Sequence, residues 1–472
     1  MTSNFEPRTS NFPLLGLAPI GKFVFSHTDA MAYKARIEAL LTKLGVNFVN
    51  IDAALPDGMV RDQRHVDAAV ESLRSKNIDA LFLPHCNFGT EGAAGMIARK
   101  LNVPTLLWGP RDEAPLSDGS RLRDTLCGLF ASSKVLRKLG VTFTYIENCR
   151  MEEPALAAGI TQFMAAANVV KGWRRMRIGM VGKRIDFFYT CIVNESELLE
   201  RFGIEIVPID LIDIIAATRK RAAAGRKGYL DEIEQLKRQH KLELEGFDGP
   251  DAFINVLALR DEMLHRAADL GLTAFAIESF MSICNELGSM IEFVHGELAE
   301  RGIPCSTETD IHGAISCQLL QHAAMGAEPT FLADLTVRHP SRDDAVLLWH
   351  CGFPLSLAHE KSRRSVGPHW ILPGIEPGSC HWRMKDGALT VCRFDGDTGS
   401  YRLCSGQGET CDGPDTQNVY AWMKVADWPR WERTFIMGPY IHHVAAAYGH
   451  HAAVLKEACR YMSGVEWESP EE

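Results

Sequence analysis

In the first third of the chain, apolar residues fall in short solid runs, separated by stretches where they recur every three or four positions. The runs Leu14–Ile20, Val46–Ile51, Ala80–Pro84, Pro104–Trp108 and Thr142–Ile146 read as strands. Between them, Ala32–Leu44, Arg64–Lys76, Gly92–Leu101 and Asp124–Leu139 read as helices. Solid apolar strands are covered on both faces, and their alternation with helices predicts βαβ units around a mostly parallel sheet. Glu153–Trp173 is helical by the same spacing and carries the chain into a second series. That series has strands at Arg177–Val181, Ile204–Ile209 and Ala274–Ile277, with a short element at Leu211–Ile215. Its helices are expected at Glu195–Phe202, Met290–Arg301 and Gly313–Ala324. Arg219–Glu245 alternates basic and acidic residues at helical spacing, the pattern of a solvated helix.

The rhythm breaks near Ala345. Runs such as Val346–Trp349 and Ala388–Phe394 are set apart by Gly, Pro, Asp and Ser, and Gly396, Gly399, Gly406 and Gly408 crowd together. This predicts antiparallel strands, with a helical segment, Val444–Met462, closing the chain. The expected fold class is α/β: two α/β domains, residues 1–172 and 173–344, followed by an antiparallel β domain, residues 345–472. Single cores stop growing at roughly 250–300 residues, so a chain of 472 residues calls for such a division.

Composition narrows the function. A formal net charge of −10 lacks the basic excess of an electrostatic nucleic-acid binder. No apolar run reaches the about 18 residues of a membrane span, and Met1–Leu14 has neither the basic start nor the apolar core of a secretory signal. The 13 Cys stand without CxxC pairs, as in a cytoplasmic protein with reduced thiols rather than a disulfide framework or thiolate zinc site.

Candidate chemistry concentrates late in the chain. In Pro304-Cys-Ser-Thr-Glu-Thr-Asp-Ile-His-Gly-Ala314, a strand-like approach ends in Glu308 and Asp310 just before a helix. Asp310 suits a helix N-cap, but capping leaves Glu308 unexplained, and strand ends in open α/β sheets are where ligands bind. Glu278 follows the strand Ala274–Ile277, and Glu286 lies in Asn285-Glu-Leu-Gly288. His350 ends an apolar run, while His442, His443, His450 and His451 flank Val444–Gly449. Carboxylates alone suit Mg²⁺ or Mn²⁺, and an added imidazole favours Mn²⁺ or a later metal.

At these residues the chain resembles the L-fucose isomerase/L-arabinose isomerase superfamily. The likeness is carried by Cys305–Leu320 (CSTETDIHGAISCQLL) and by His442–His450 (HHVAAAYGH). Leu107–Glu113 (LWGPRDE), Asp124–Gly128 and Trp349-His350-Cys351-Gly352 add to it. The resemblance implies two Rossmann-like α/β domains and a barrel-like β domain, assembled as homotrimers or homohexamers with active sites near subunit contacts. It implies a small sugar substrate, interconverted between aldose and ketose through an enediol. It also implies Mn²⁺, or another divalent cation such as Mg²⁺ or Co²⁺, held by a Glu, an Asp and a His. Carried onto this chain, Asp310 matches the Asp of Glu-x-Asp and His443 the late His. Glu286 stands at the fucose-isomerase distance before Asp310, whereas Glu278 and Glu308 suit the arabinose-isomerase pattern. Glu286 and Asp310 are thus the expected acid–base pair and, with His443, the expected metal ligands. Glu308, His350 and Arg111 are expected to contact substrate. The chain departs from these isomerases in length and around Ser279–Ser289, so their sugar does not transfer. Arg111, Lys183 and Arg184 would suit an anionic substrate, so a sugar acid, sugar phosphate or other modified sugar is the alternative. A sugar-binding protein without catalysis is the reading from another class.

Overall fold

The computed structural model describes residues 12–350, 352–371 and 374–472. Cys351, and most of the Met1–Leu14 segment tested for a leader, lie outside the described residues. The chain forms two compact units, residues 12–171 and 172–472.

In the first unit, β1 (Leu15–Leu17), β2 (Phe48–Val49), β3 (Ala80–Pro84), β4 (Thr105–Trp108) and β5 (Thr144–Tyr145) form a parallel sheet of order β2-β1-β3-β4-β5. β1, β3 and β4 are buried throughout, which explains their solid apolar runs. Leu81, Leu83 and Leu107 pack with Val70, Leu73 and Ile97 on one face. Leu15, Phe82 and Trp108 pack with Ile37, Leu41 and Phe163 on the other. Helices thus cover both faces, in a doubly wound order of the 2-1-3-4-5 type.

The second unit opens with β6 (Arg177–Val181), β7 (Glu205–Ile209), β8 (Leu242–Leu244), β9 (Ala274–Ile277) and β10 (Cys305–Ser306). It continues with β11 (Phe331–Arg338), β12 (Ala345–His350), β13 (Arg364–Gly367), β14 (Ser379–Arg383) and β15 (Ala388–Asp397). β16 (Ser400–Cys411), β17 (Val419–Lys424), β18 (His443–Tyr448) and β19 (Val465–Glu468) complete it. A four-stranded parallel sheet has the order β10-β9-β6-β7. The remaining strands run β19-β16-β15-β18-β11-β12-β17-β14-β13-β8, and a β16–β17 pairing closes six of them into a barrel. The helix Ile311–Ala323 packs against β9, β15 and β18, so its N-terminus stands where the parallel sheet meets the barrel.

Three elements differ from the pattern-based expectation. Leu211–Ile215 and the charged stretch after it form one helix, Leu211–His240, started by an Asp210 side chain that accepts from the Ile212 N–H. Asp251–Leu270 is a helix that the periodicity did not single out. Its buried Phe253, Ile254, Val256, Leu257, Ala258 and Leu259 circle the axis, so no polar face marks it. The expected closing helix is a strand followed by a helix: Val444–Tyr448 belongs to β18, and Ala452–Cys459 is the helix. Ala prefers helices, but neighbours on both sides, β11 and β15, and complete burial override that preference. Gly449, with φ at 108°, makes the break. Among the described residues no helix is long and apolar enough to cross a membrane.

Candidate active site

The parallel sheet delivers a tight turn at the end of β10. Glu308 and Thr309 both have left-handed backbones, φ 57° and 55°. For residues with side chains such conformations cost about 1–3 kcal/mol each and persist only where the surroundings impose them. The surroundings here are hydrogen bonds. Glu308 N donates to Ser279 Oγ (3.1 Å), Thr309 N to the Ile277 carbonyl (3.0 Å), and Thr309 Oγ1 to the Lys183 carbonyl (2.9 Å). Ser306 Oγ donates to the Asp310 carbonyl at 2.7 Å. The strain aims Glu308 at the barrel while Asp310 starts the next helix.

The barrel supplies imidazoles. His443 opens β18 opposite Asp334 of β11, and His350 ends β12. His443 Nδ1 lies 2.9 Å from Asp310 Oδ2. Its Nε2 lies 3.3 Å from Glu308 Oε2 and 3.6 Å from Asp334 Oδ1, yet among the described residues this buried nitrogen has no hydrogen-bond partner. Asp334 Oδ1 is likewise buried and unpartnered, and stands 3.7 Å from His350 Nε2. Thr307 Oγ1 is 3.4 Å from that same His350 nitrogen. Glu308, His350 and His443 each offer a ligand atom within 4.8 Å of the others, and so do Asp334, His442 and His443. Ligands about 2.1 Å from one cation stand roughly 3.0–3.4 Å apart, close to the separations around His443 Nε2.

Behind Asp310 lies a buried arginine. Arg393 of β15 donates Nη1 to Asp310 Oδ2 (2.5 Å), Nη2 to Asp310 Oδ1 (3.2 Å) and Nε to Asp395 Oδ2 (2.8 Å). Asp395 Oδ1 faces His312 Nδ1 at 3.0 Å. The Gly313 N–H also donates to Asp310 Oδ1, at 2.9 Å, so the N-cap expectation holds alongside the rest.

Charge balance sets the protonation. Burial opposes ionisation of Asp310, but the Arg393 guanidinium and His443 win and hold its carboxyl far below the usual range. Burial likewise opposes ionisation of Glu308, whose carboxyl the three facing imidazoles hold below its ordinary value. For His443 burial favours the neutral ring, yet the bond to Asp310 and the facing Glu308 and Asp334 raise its pKa to about 10. Four acidic side chains (Glu308, Asp310, Asp334, Asp395) therefore surround Arg393 and a His443 ring that is cationic only while Nε2 keeps its proton, which a metal bound at that nitrogen would displace. The surplus is negative, as a divalent cation requires. Cys191 is also within 4.8 Å of Asp310 and His443. Burial, with Asp310 and Glu308 nearby, pushes its thiol up to about 12, so it is not an available thiolate.

The structure brings Asp310, Glu308, His350 and His443 together and turns one expected site residue, Glu286, away from them. Glu286 ends a short helix, Met281–Leu287, that turns it outward. Its side chain is 55% exposed and pairs with Arg219 at 2.6 Å, away from Asp310 and His443. Arg111 belongs to the first unit, exposed on the loop after β4, where its backbone N–H bonds to the Cys149 carbonyl. Glu278, at the end of β9, is buried and accepts from Lys183 N (3.3 Å) and Ser282 Oγ (3.2 Å). Asp334, Arg393 and Asp395 were not singled out from sequence. The signal was present, since each charge interrupts an apolar strand, and buried charges are rare unless paired.

A family of fucose/sulfoquinovose isomerase N-terminal domains matches residues 16–174, and the L-fucose isomerase C-terminal domain matches residues 372–468. The chain belongs to the fucose isomerase-like family. It is accordingly an enzyme of the isomerase type, of a family that interconverts aldoses and ketoses. Sulfoquinovose isomerase of Priestia aryabhattai is 25% identical over 398 residues, covering 84% of each chain. That of Clostridium sp. (strain MSTE9) is 26% identical over 406 residues, 84% of this chain and 85% of its own. That of Alkalicoccus urumqiensis is 26% identical over 325 residues, 68% of this chain and 69% of its own. His443 falls within a stretch matched to the fucose isomerase-like family, whereas Glu308, Asp310, Asp334 and His350 lie between the two stretches. For those four residues, geometry carries the argument.

Proposed function

We propose that the chain is a divalent-metal-dependent aldose–ketose isomerase acting on a sulfonated or otherwise modified sugar of the sulfoquinovose type. The observation that carries the metal is the orphaned, buried His443 Nε2 facing Glu308 and Asp334. Such an atom loses its hydration without return unless a ligand replaces the water. Glu308, His350 Nε2 and His443 Nε2 would hold the cation, preferentially Mn²⁺ given mixed oxygen and imidazole donors. Bound there, the cation would polarise substrate oxygens and favour loss of the adjacent C–H proton.

The chain's own residues divide the remaining work. Glu308, ionised and fixed by a strained backbone, takes the proton from the carbon beside the carbonyl and returns it to its neighbour. Glu278, on the adjoining strand end, is the second carboxylate for proton traffic between substrate oxygens. Asp310 accepts four hydrogen bonds, from Arg393 twice, His443 and Gly313, which fill its lone pairs. It orients the His443 ring and is poorly placed to move protons. Lys183, exposed at the end of β6 beside Glu278, suits the anionic end of a sulfonated substrate. This reading includes two Rossmann-like α/β parts before the β domain, a cytoplasmic location and a homotrimer or homohexamer.

The test is a panel of aldoses, sulfonated hexoses and sugar phosphates offered to Mn²⁺-loaded protein in D₂O. Deuterium appearing beside the carbonyl of a sulfonated hexose, with ketose formed and with loss of both on chelation, is expected. Exchange that survives chelation would end the metal reading. Turnover of neutral sugars alone would end the substrate reading.

A further inference from the structure

We infer that Arg393 is a positioning residue that sets the His443 ring for metal binding, by holding Asp310 as a fixed acceptor against Nδ1. The inference rests on the metal reading above. Arg393 and Asp310 are both fully buried, and two guanidinium nitrogens engage the two carboxylate oxygens. Nε is anchored separately on Asp395, whose other oxygen accepts from Gly396 N (2.9 Å) and faces His312. A planar fork held at three points permits one carboxylate orientation, which a lysine cannot reproduce. In that orientation Asp310 Oδ2 meets His443 Nδ1, leaving Nε2 as the nitrogen directed at Glu308, Asp334 and His350. A carboxylate behind a ligating histidine fixes its ring and tautomer, and its loss typically weakens metal binding roughly 10–100-fold. Arg393 extends this arrangement one residue deeper into the barrel.

The geometry makes a prediction of unusual sign. As a charge alone, Arg393 repels a nearby cation, so its removal should tighten metal binding. As a positioning group, its removal should weaken it. Mn²⁺ affinity, read from the free-ion electron paramagnetic resonance signal, is compared in wild type, Arg393→Gln and Arg393→Lys, with thermal melting as fold control. Weakening of roughly 10–100-fold in both variants is expected, with lysine failing to rescue although it keeps the charge. Unchanged affinity in a folded Arg393→Lys, or tighter binding by Arg393→Gln, overturns the inference. Should Arg393→Gln not fold, Arg393→Lys decides. Absence of Mn²⁺ uptake by wild type would instead sink the metal reading. The His443 Nδ1–H proton in [¹⁵N]histidine-labelled, metal-free protein then decides for Arg393. A slowly exchanging signal lost in Arg393→Lys supports positioning, and the same signal in both overturns it.

Discussion

Two arginine–carboxylate pairs in the second unit have nearly the same length and opposite meaning. Arg393–Asp310 spans 2.5 Å with both side chains 0% exposed, whereas Arg219–Glu286 spans 2.6 Å with 53% and 55% exposed. Water screens the second, and such pairs contribute about 0–1 kcal/mol. The first has lost all hydration, and breaking it by removing one partner costs about 3–5 kcal/mol. A buried pair is weak evidence of net stabilisation, because hydrophobic replacements are often as stable. Its value lies in what it arranges: Asp310 is ionised, immobile and directed at His443. Distance alone would have ranked the two pairs together. Burial and the neighbours of each carboxylate separate them.

Mutations on the two sides of this comparison should diverge. Glu308→Gln keeps the size of the side chain but removes the proposed base, and should cut deuterium exchange into substrate by about 10²–10⁴-fold. Asp310→Asn removes one of the two anions, Asp310 and Asp395, that compensate the buried Arg393 and should lower stability by up to about 3–5 kcal/mol in urea denaturation. If it merely served as a helix cap, Asn would replace it at little cost. Asp334→Asn removes the charge facing His443 and His350 and should weaken Mn²⁺ binding about 10-fold, read by calorimetric titration. The smallest effect belongs to Glu286→Gln: under about 1 kcal/mol in stability and no change in turnover. A large loss of turnover there would dissolve the contrast and favour the fucose-isomerase spacing for the first carboxylate.

Much of the fold was legible because buried parallel strands have no polar face. Ala80–Pro84, Arg177–Val181 and Ala274–Ile277 stand where the solid apolar runs placed them. Local signals failed where tertiary partners decide: Val444–Tyr448 is alanine-rich yet lies between two strands. The same limit applies to the site. Asp310 and His443 were found by motif, and their 2.9 Å approach across 133 residues follows from the helix Ile311–Ala323 lying on β18. Glu286 was assigned by its spacing from Asp310, but spacing does not say which way a short helix faces. Arg393 and Asp334 each stood in view as a charge within an apolar run. What each pairs with depends on barrel closure and strand register, which no local window contains.

In the proposed arrangement, Glu308, His350 and His443 build one cation site, with Asp310 behind His443. Anomalous diffraction from Mn²⁺-soaked crystals tests this directly. A single strong peak is expected about 2.0–2.4 Å from a Glu308 oxygen and from Nε2 of both histidines, with Asp310 still bound to Arg393. A peak coordinated by Glu286, or one at which Asp310 has left Arg393 to ligate the metal, would contradict it.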